Sequence, residues 1–279
     1  MLTKTTWSQE QVIELEPDHQ KLGKKLFKVL HVVSKLPLGG VENMLLRVVK
    51  NYDKDHFSVI ICCIKEGGEI ADLLRSEGYR VEILGRMKGH GFDFGAIIDL
   101  YRLIRKENID ILRTDQYHAS LYGRLAGILA GVPVIIPSFH SRYKSPREPK
   151  MHRRFINLCL SFFSDAIVAV SPAVASDILQ YDKVNPSKVK VIYNGVNLRD
   201  FNTSISKKEC RKKLNMPEDA IIIGTVGRLV EEKGHQLLIE AASELKSELK
   251  DVYIAIAGDG PLMETLKGNA EKLRVKCLF

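Results

Sequence analysis

Residues 221–234, IIIGTVGRLVEEKG, decide how the chain is read. Ile221, Ile222, Ile223 and Val226, interrupted by Gly224 and Thr225, have the make-up of a short strand buried on both faces. Gly227 ends that strand, and Arg228 and Lys233 flank a tight polar loop. After Gly234 the apolar residues Leu237, Leu238, Ala241, Ala242, Leu245 and Leu249 recur at helical spacing. A strand, a loop and a helix start aim free backbone N–H groups and the positive helix end at one point. A guanidinium fork and an ammonium beside that point suit a diphosphate. The same residues also suit a solvated loop in which Arg228 and Lys233 pair with Glu231 and Glu232, and spacing alone does not separate the two.

Upstream the same alternation recurs. Residues 26–33 (LFKVLHVV) read as a strand, followed by a loop ending in Gly39-Gly40 and a helix with Val41, Met44, Leu45, Val48, Val49 and Tyr52 on one side. The paired glycines let a backbone approach a ligand closely, or simply form a turn. Strands at 57–64, 80–84, 109–112, 132–136, 166–170 and 188–193 follow, with helical patterns near 69–77, 94–104, 118–130 and 172–181 between them. This alternation predicts an α/β fold with parallel, doubly wound sheets, whose ligands gather outside the carboxyl ends of the strands. Gly39, Gly40, Asp115, His118 and His140 all follow strands and therefore share that edge. Asp115 suits a helix cap or a ligand contact, and His118 sits where a helix opens. His140 sits in a polar loop, as an exposed residue or a functional one.

Residues 1–25 read as a low-order appendage, 26–197 as the first domain and 198–279 as a second, in which the Lys-rich segment KKECRKKL precedes the strand–helix series that starts near 220. Downstream, the strand at 252–257 leads to Gly258-Asp259-Gly260-Pro261, where the proline suits a first helical turn. Three strands and two helices are about half of a doubly wound domain of ~150 residues, so the second domain reads as incomplete.

The chain has 279 residues, 45% of them hydrophobic, and a net charge of +8, which favours anionic partners. The charge is not gathered in a tail, so nucleic acid is not expected. Cys62, Cys63, Cys159, Cys210 and Cys277 lack CxxC spacing and read as reduced thiols of a cytosolic protein. No secretory leader is visible, and no apolar run is long enough to span a bilayer. Residues 142–154, RYKSPREPKMHRR, carry six Arg or Lys against one Glu and precede the apolar FINLCLSFF. They suit a solvated loop, or a surface that docks on anionic headgroups.

Taken together, LGGVE at 38–42, SFHS at 138–141, AVSPAV at 169–174, VIYNGVN at 191–197, VGRLVEEKG at 226–234 and AIAGDGP at 255–261 resemble the family 4 (group 1) retaining nucleotide-sugar glycosyltransferases, which have the GT-B fold of two Rossmann-like domains. The resemblance implies transfer of a sugar, with retention, from a nucleotide-diphosphate donor to a saccharide or lipid-linked acceptor of surface-polysaccharide synthesis. It places the donor in a cleft between two facing domains. Arg228 and Lys233 would hold the diphosphate and stabilise the leaving group, Gly39 and Gly40 would line it, and His140 would contact the reacting sugar or acceptor. Asp115 and His118 would lie on the acceptor side. No metal or other cofactor is implied, and a cytoplasmic location follows, with peripheral contact through 142–154.

Some positions depart from the family. RTDQ at 113–116 stands where a histidine is common, Asn197 replaces the usual Asp after NGV, and a glutamate-rich segment of the donor domain has no counterpart. That absence leads to the expectation of a C-terminally truncated chain, inactive alone. Two other functions fit the same motifs: a sugar-nucleotide epimerase of similar fold, and a non-catalytic partner subunit.

Overall fold

The computed structural model describes residues 25–89, 91–143, 150–201, 204–245 and 251–279. Most of the expected N-terminal appendage (1–24), residues 144–149 of the basic stretch, and Leu249 lie outside the described residues. Contacts divide the chain into two units, Met1–Val196 and Asn197–Phe279.

In the first unit, seven parallel strands alternate with helices: β1 Phe27–Val33, α1 Gly40–Lys50, β2 Phe57–Cys63, α2 Glu69–Ser76, β3 Arg80–Ile83, α3 Phe94–Glu107, β4 Ile111–Asp115, α4 Tyr117–Ala130, β5 Val134–Phe139, α5 Met151–Phe162, β6 Ile167–Ala169, α6 Pro172–Asp177 and β7 Val189–Val191. The sheet order is β3-β2-β1-β4-β5-β6-β7. The two-residue period of the strands sorts the core into two layers. Leu30, Val32, Cys62 and Leu112 pack with Leu100 of α3 and Tyr122 of α4. Val33, Ile61 and Cys63 pack on the other side with Leu45 and Val49 of α1 and Leu74 of α2. This is the doubly wound arrangement read from the sequence. Since α1 leaves β1 toward one face and α4 leaves the adjacent β4 toward the other, a crevice opens between these two strands.

Side-chain capping divides the helices of the unit: α2 and α5, like the two helices that start at this crevice, have none. Asp93 caps α3 by accepting from Ala96 N, and Ser171 caps α6 through Val174 N. In contrast α1, entered through Gly39, and α4, entered through Gln116, have no side-chain cap. Their first N–H groups are left to water or a ligand.

The second unit contains α7 Lys207–Lys213, β8 Ile221–Val226, α8 His235–Leu245, β9 Val252–Ala257, α9 Met263–Lys272 and β10 Cys277–Leu278. Its parallel sheet has the order β10-β9-β8. Here one expectation is corrected: β8 is not buried on both faces. Ile221 is 47% and Val226 86% exposed, whereas Ile254 and Ile256 of β9 are at 0% and 2%. Among the described strands β8 has a single neighbour, and α8 and α9 close over β9, so the apolar run of β8 is only half used. The buried anchor beyond it is Leu229, in the loop.

Candidate active site

In the second unit, the loop after β8 is laced to the loop after β9. Gly227 N donates to Ala257 O (3.0 Å), Leu229 N to Asp259 O (2.9 Å) and Leu262 N to Leu229 O (3.1 Å). The approach is so close that a Cβ on Gly258, whose φ is +155°, would collide with the Gly227 carbonyl. Leu229 is driven into the core, which leaves Arg228 on one side of it exposed. A short 3₁₀ turn, Glu231–Lys233, then brings Lys233 back so that its methylene stem passes Gly227. His235, nearly fully buried, holds the Arg228 carbonyl through Nε2 at 3.1 Å. Among the described residues no carboxylate pairs with Arg228 or Lys233. The loop thus presents two cations with free charge, as a diphosphate requires, rather than the internal pairing with Glu231 and Glu232.

In the first unit, the polar groups collect at the carboxyl ends of β1, β4 and β5. Asp115, the last residue of β4, is fully buried and accepts from Nε2 of His140 at 2.8 Å. His140 directly follows β5, its side chain only 5% exposed, and its Nδ1 has no hydrogen-bond partner among the described residues. On the far side of the carboxylate, His31 of β1 places Nδ1 at 3.7 Å from Oδ2, while Arg113 places Nε at 3.8 Å from Oδ1, the oxygen that His140 bonds. His31 Nε2 lies 2.9 Å from the Tyr52 hydroxyl. Burial alone would push the Asp115 carboxyl up. The hydrogen bond from His140, then His31 and Arg113, outweigh it and hold the group well below the usual carboxylate range. Burial lowers the His31 imidazole, which is therefore neutral at pH 7, against the opposing pull of Asp115.

Asp115 is not the cap of α4. Gln116 occupies that position, and because Asp115 still belongs to β4 its side chain turns under the strand ends. Gln116 takes φ 73° and ψ 160°, a conformation of about 1–3 kcal/mol strain for a residue with a Cβ. Its amide donates to Glu42 (2.9 Å), whose carboxylate folds back over Gly39. A Cβ on Gly40 would meet nothing, so the approach to the α1 N-terminus is open on that side. His118 is brought to the same edge but not into the polar chain: it is exposed and lies edge-on to Tyr117.

His31 and Tyr52 were not singled out from the sequence as site residues. The available signal was an imidazole inside the apolar run LFKVLHVV, a residue type that costs free energy in a sheet core unless something polar meets it. Among the described residues no cluster of three or more His, Cys, Asp or Glu side chains is arranged to hold a metal ion.

Residues 38–200 match the family model Glycosyltransferase Family 4, and residues 206–277 match Glycosyl transferases group 1. Over 250 residues the chain is 28% identical to the UDP-Gal:alpha-D-GlcNAc-diphosphoundecaprenol alpha-1,3-galactosyltransferase of Escherichia coli, covering 87% of this chain and 64% of that protein. The capsular polysaccharide biosynthesis glycosyltransferase CapH of Staphylococcus aureus is 25% identical over 240 residues, 84% of this chain and 62% of its own. The chain therefore spans less than two-thirds of the length of these curated relatives. Among solved structures, Anabaena HepE in complex with UDP superposes with a TM-score of 0.74 at 21% identity, over 90% of this chain and 69% of that one. That likeness is one of fold.

Proposed function

Because the chain belongs to Glycosyltransferase Family 4, with a group 1 segment after it, we propose that it serves transfer of a sugar from a nucleotide-diphosphate donor to a saccharide or lipid-linked acceptor. The observation that carries this reading is the pair of exposed, carboxylate-free cations Arg228 and Lys233 on the loop between β8 and α8. Their fixed charge would hold the donor diphosphate and offset the charge that builds on it as the glycosidic bond breaks. No step in this scheme is assigned to a metal ion. Gly39 and Gly40 would offer the open end of α1 to the donor, and His140 would turn its free Nδ1 to the reacting sugar. Asp115 and His118 are assigned to the acceptor side of the same strand edge. Retention of configuration belongs to this reading too.

The named activity of the E. coli relative, on a diphosphoundecaprenol-linked sugar, supports a lipid-linked acceptor. The basic stretch 142–154 runs into α5, which exposes Met151, Phe155 and Phe162, with Phe163 just beyond. Aromatic side chains beside Lys150, Arg153 and Arg154 suit a peripheral seat on an anionic bilayer.

Titration calorimetry with UDP tests the core of this reading. The chain is expected to bind it, and Arg228→Ala or Lys233→Ala to weaken binding at least tenfold, about 1.4 kcal/mol or more. Undiminished affinity in both variants would remove the assignment. Incubating a UDP-sugar with and without a lipid-linked acceptor separates transfer from epimerisation, since an epimerase converts the donor without an acceptor. Co-sedimentation with anionic, but not zwitterionic, vesicles tests the peripheral seat.

A further inference from the structure

We propose that His31 is a positioning residue: held by Tyr52, it fixes the Asp115 carboxylate so that His140 donates through Nε2 and keeps Nδ1 as its acceptor. The proposal rests on the reading of His140 as the group that faces the sugar.

The geometry is a buried chain of four side chains from four segments. The Tyr52 hydroxyl follows α1, His31 lies mid-strand in β1, Asp115 ends β4, and His140 follows β5. His31 and Asp115 are both at 0% exposure. Only one arrangement of protons suits all the contacts. If His31 carried its proton on Nε2, the lone pair of Nδ1 would face the Asp115 carboxylate at 3.7 Å, a repulsive contact in a medium that screens little. With the Tyr52 hydroxyl donating to Nε2 over 2.9 Å, the proton sits on Nδ1 and faces Oδ2 across 3.7 Å, an electrostatic contact longer than a hydrogen bond. The other carboxylate oxygen is then left for Nε2–H of His140 at 2.8 Å. A carboxylate on one imidazole nitrogen fixes which tautomer the ring adopts and what the other nitrogen can do.

An apolar residue would fill the strand position of His31 without a desolvation penalty, as Leu30 and Val32 do beside it. Packing therefore does not account for an imidazole there. The charged or titratable groups that face Asp115 are His31 from β1, Arg113 from β4, Tyr52 from the end of α1 and His140 from the loop after β5.

Nitrogen NMR on the full chain, labelled in its histidine rings, tests this between pH 6 and 8. Loss of a signal in His140→Gln assigns the His140 ring. In the wild-type protein that ring is expected as the Nε2–H tautomer. In His31→Phe and in Tyr52→Phe it is expected to become a mixture of tautomers. A His140 ring unchanged in both variants would overturn the proposal. If His31→Phe does not fold, Tyr52→Phe, which removes a single hydroxyl, decides alone. In a sugar-transfer assay His31→Phe should lower kcat about tenfold at unchanged donor KM. A kcat per folded molecule equal to wild type would also overturn it. The ring spectra do not require turnover, so a wild-type protein that fails to transfer sugar would remove the enzymatic reading without touching the tautomer result.

Discussion

Asp182 and Asp115 are both buried carboxylates, yet their surroundings shift them in opposite directions. Asp182 accepts from the Tyr143 hydroxyl (2.5 Å) and Asn157 Nδ2 (3.1 Å), while Asn157 is in turn held by the buried Arg124 (2.7 Å). Burial dominates there and pushes the Asp182 carboxyl up to about 6. Its folded value exceeds the unfolded one of about 3.9, so its contribution is full below pH ~4 and is lost as pH rises through about 6. Asp182→Asn should therefore gain on the wild type by about 2–3 kcal/mol between pH 4 and 7.5, read from urea midpoints at the two values. For Asp115 the sign is reversed. Its folded value is depressed, so stability is present above pH ~4 and is lost as pH falls below it. Asp115→Asn should lower stability at pH 7 and flatten the acid limb of the same curve. Neither environment is legible in the sequence, where Asp115 reads as a cap before it reads as a ligand contact. What decides is whether the residue still belongs to the strand or already to the helix, a matter of one position.

At the scale of elements, the seam between the β8 and β9 loops is the most constrained piece of the second unit. Gly258→Ala would force a Cβ into the Gly227 carbonyl at a φ that side chains rarely adopt. Its thermal midpoint should fall by an amount equivalent to about 2 kcal/mol or more. Gly268, inside α9 with open space around it, is the control: Gly268→Ala should raise stability by about 0.5–1 kcal/mol. Strand and helix identities in this region were readable because periods of 2.0 and 3.6 residues survive in a single sequence. The burial of β8 was not readable. An apolar hexapeptide looks the same whether a sheet places it inside or at the margin, and only the pairing order separates the two.

At the scale of the whole molecule, the apolar clusters found among the described residues are three within the first unit and one within the second. A fragment of residues 25–196 should therefore fold cooperatively by itself, and a broad, non-cooperative melt would count against the division at Val196. The net charge of +8 is carried by exposed side chains such as Arg228, Lys233 and Arg153, so UDP binding should weaken as salt rises from 50 to 300 mM. No helix among the described residues is long and apolar enough to cross a membrane. The sequence by itself determined the alternation of strands and helices, the parallel doubly wound class and the two cations beside Gly227, because periodicity and turn chemistry are local properties of the chain. Only the tertiary structure decided that His31, Tyr52, Asp115 and His140 share one buried site. Residues separated by as many as 109 positions (His140 minus His31) meet there because strand order sets β1 beside β4 and β4 beside β5.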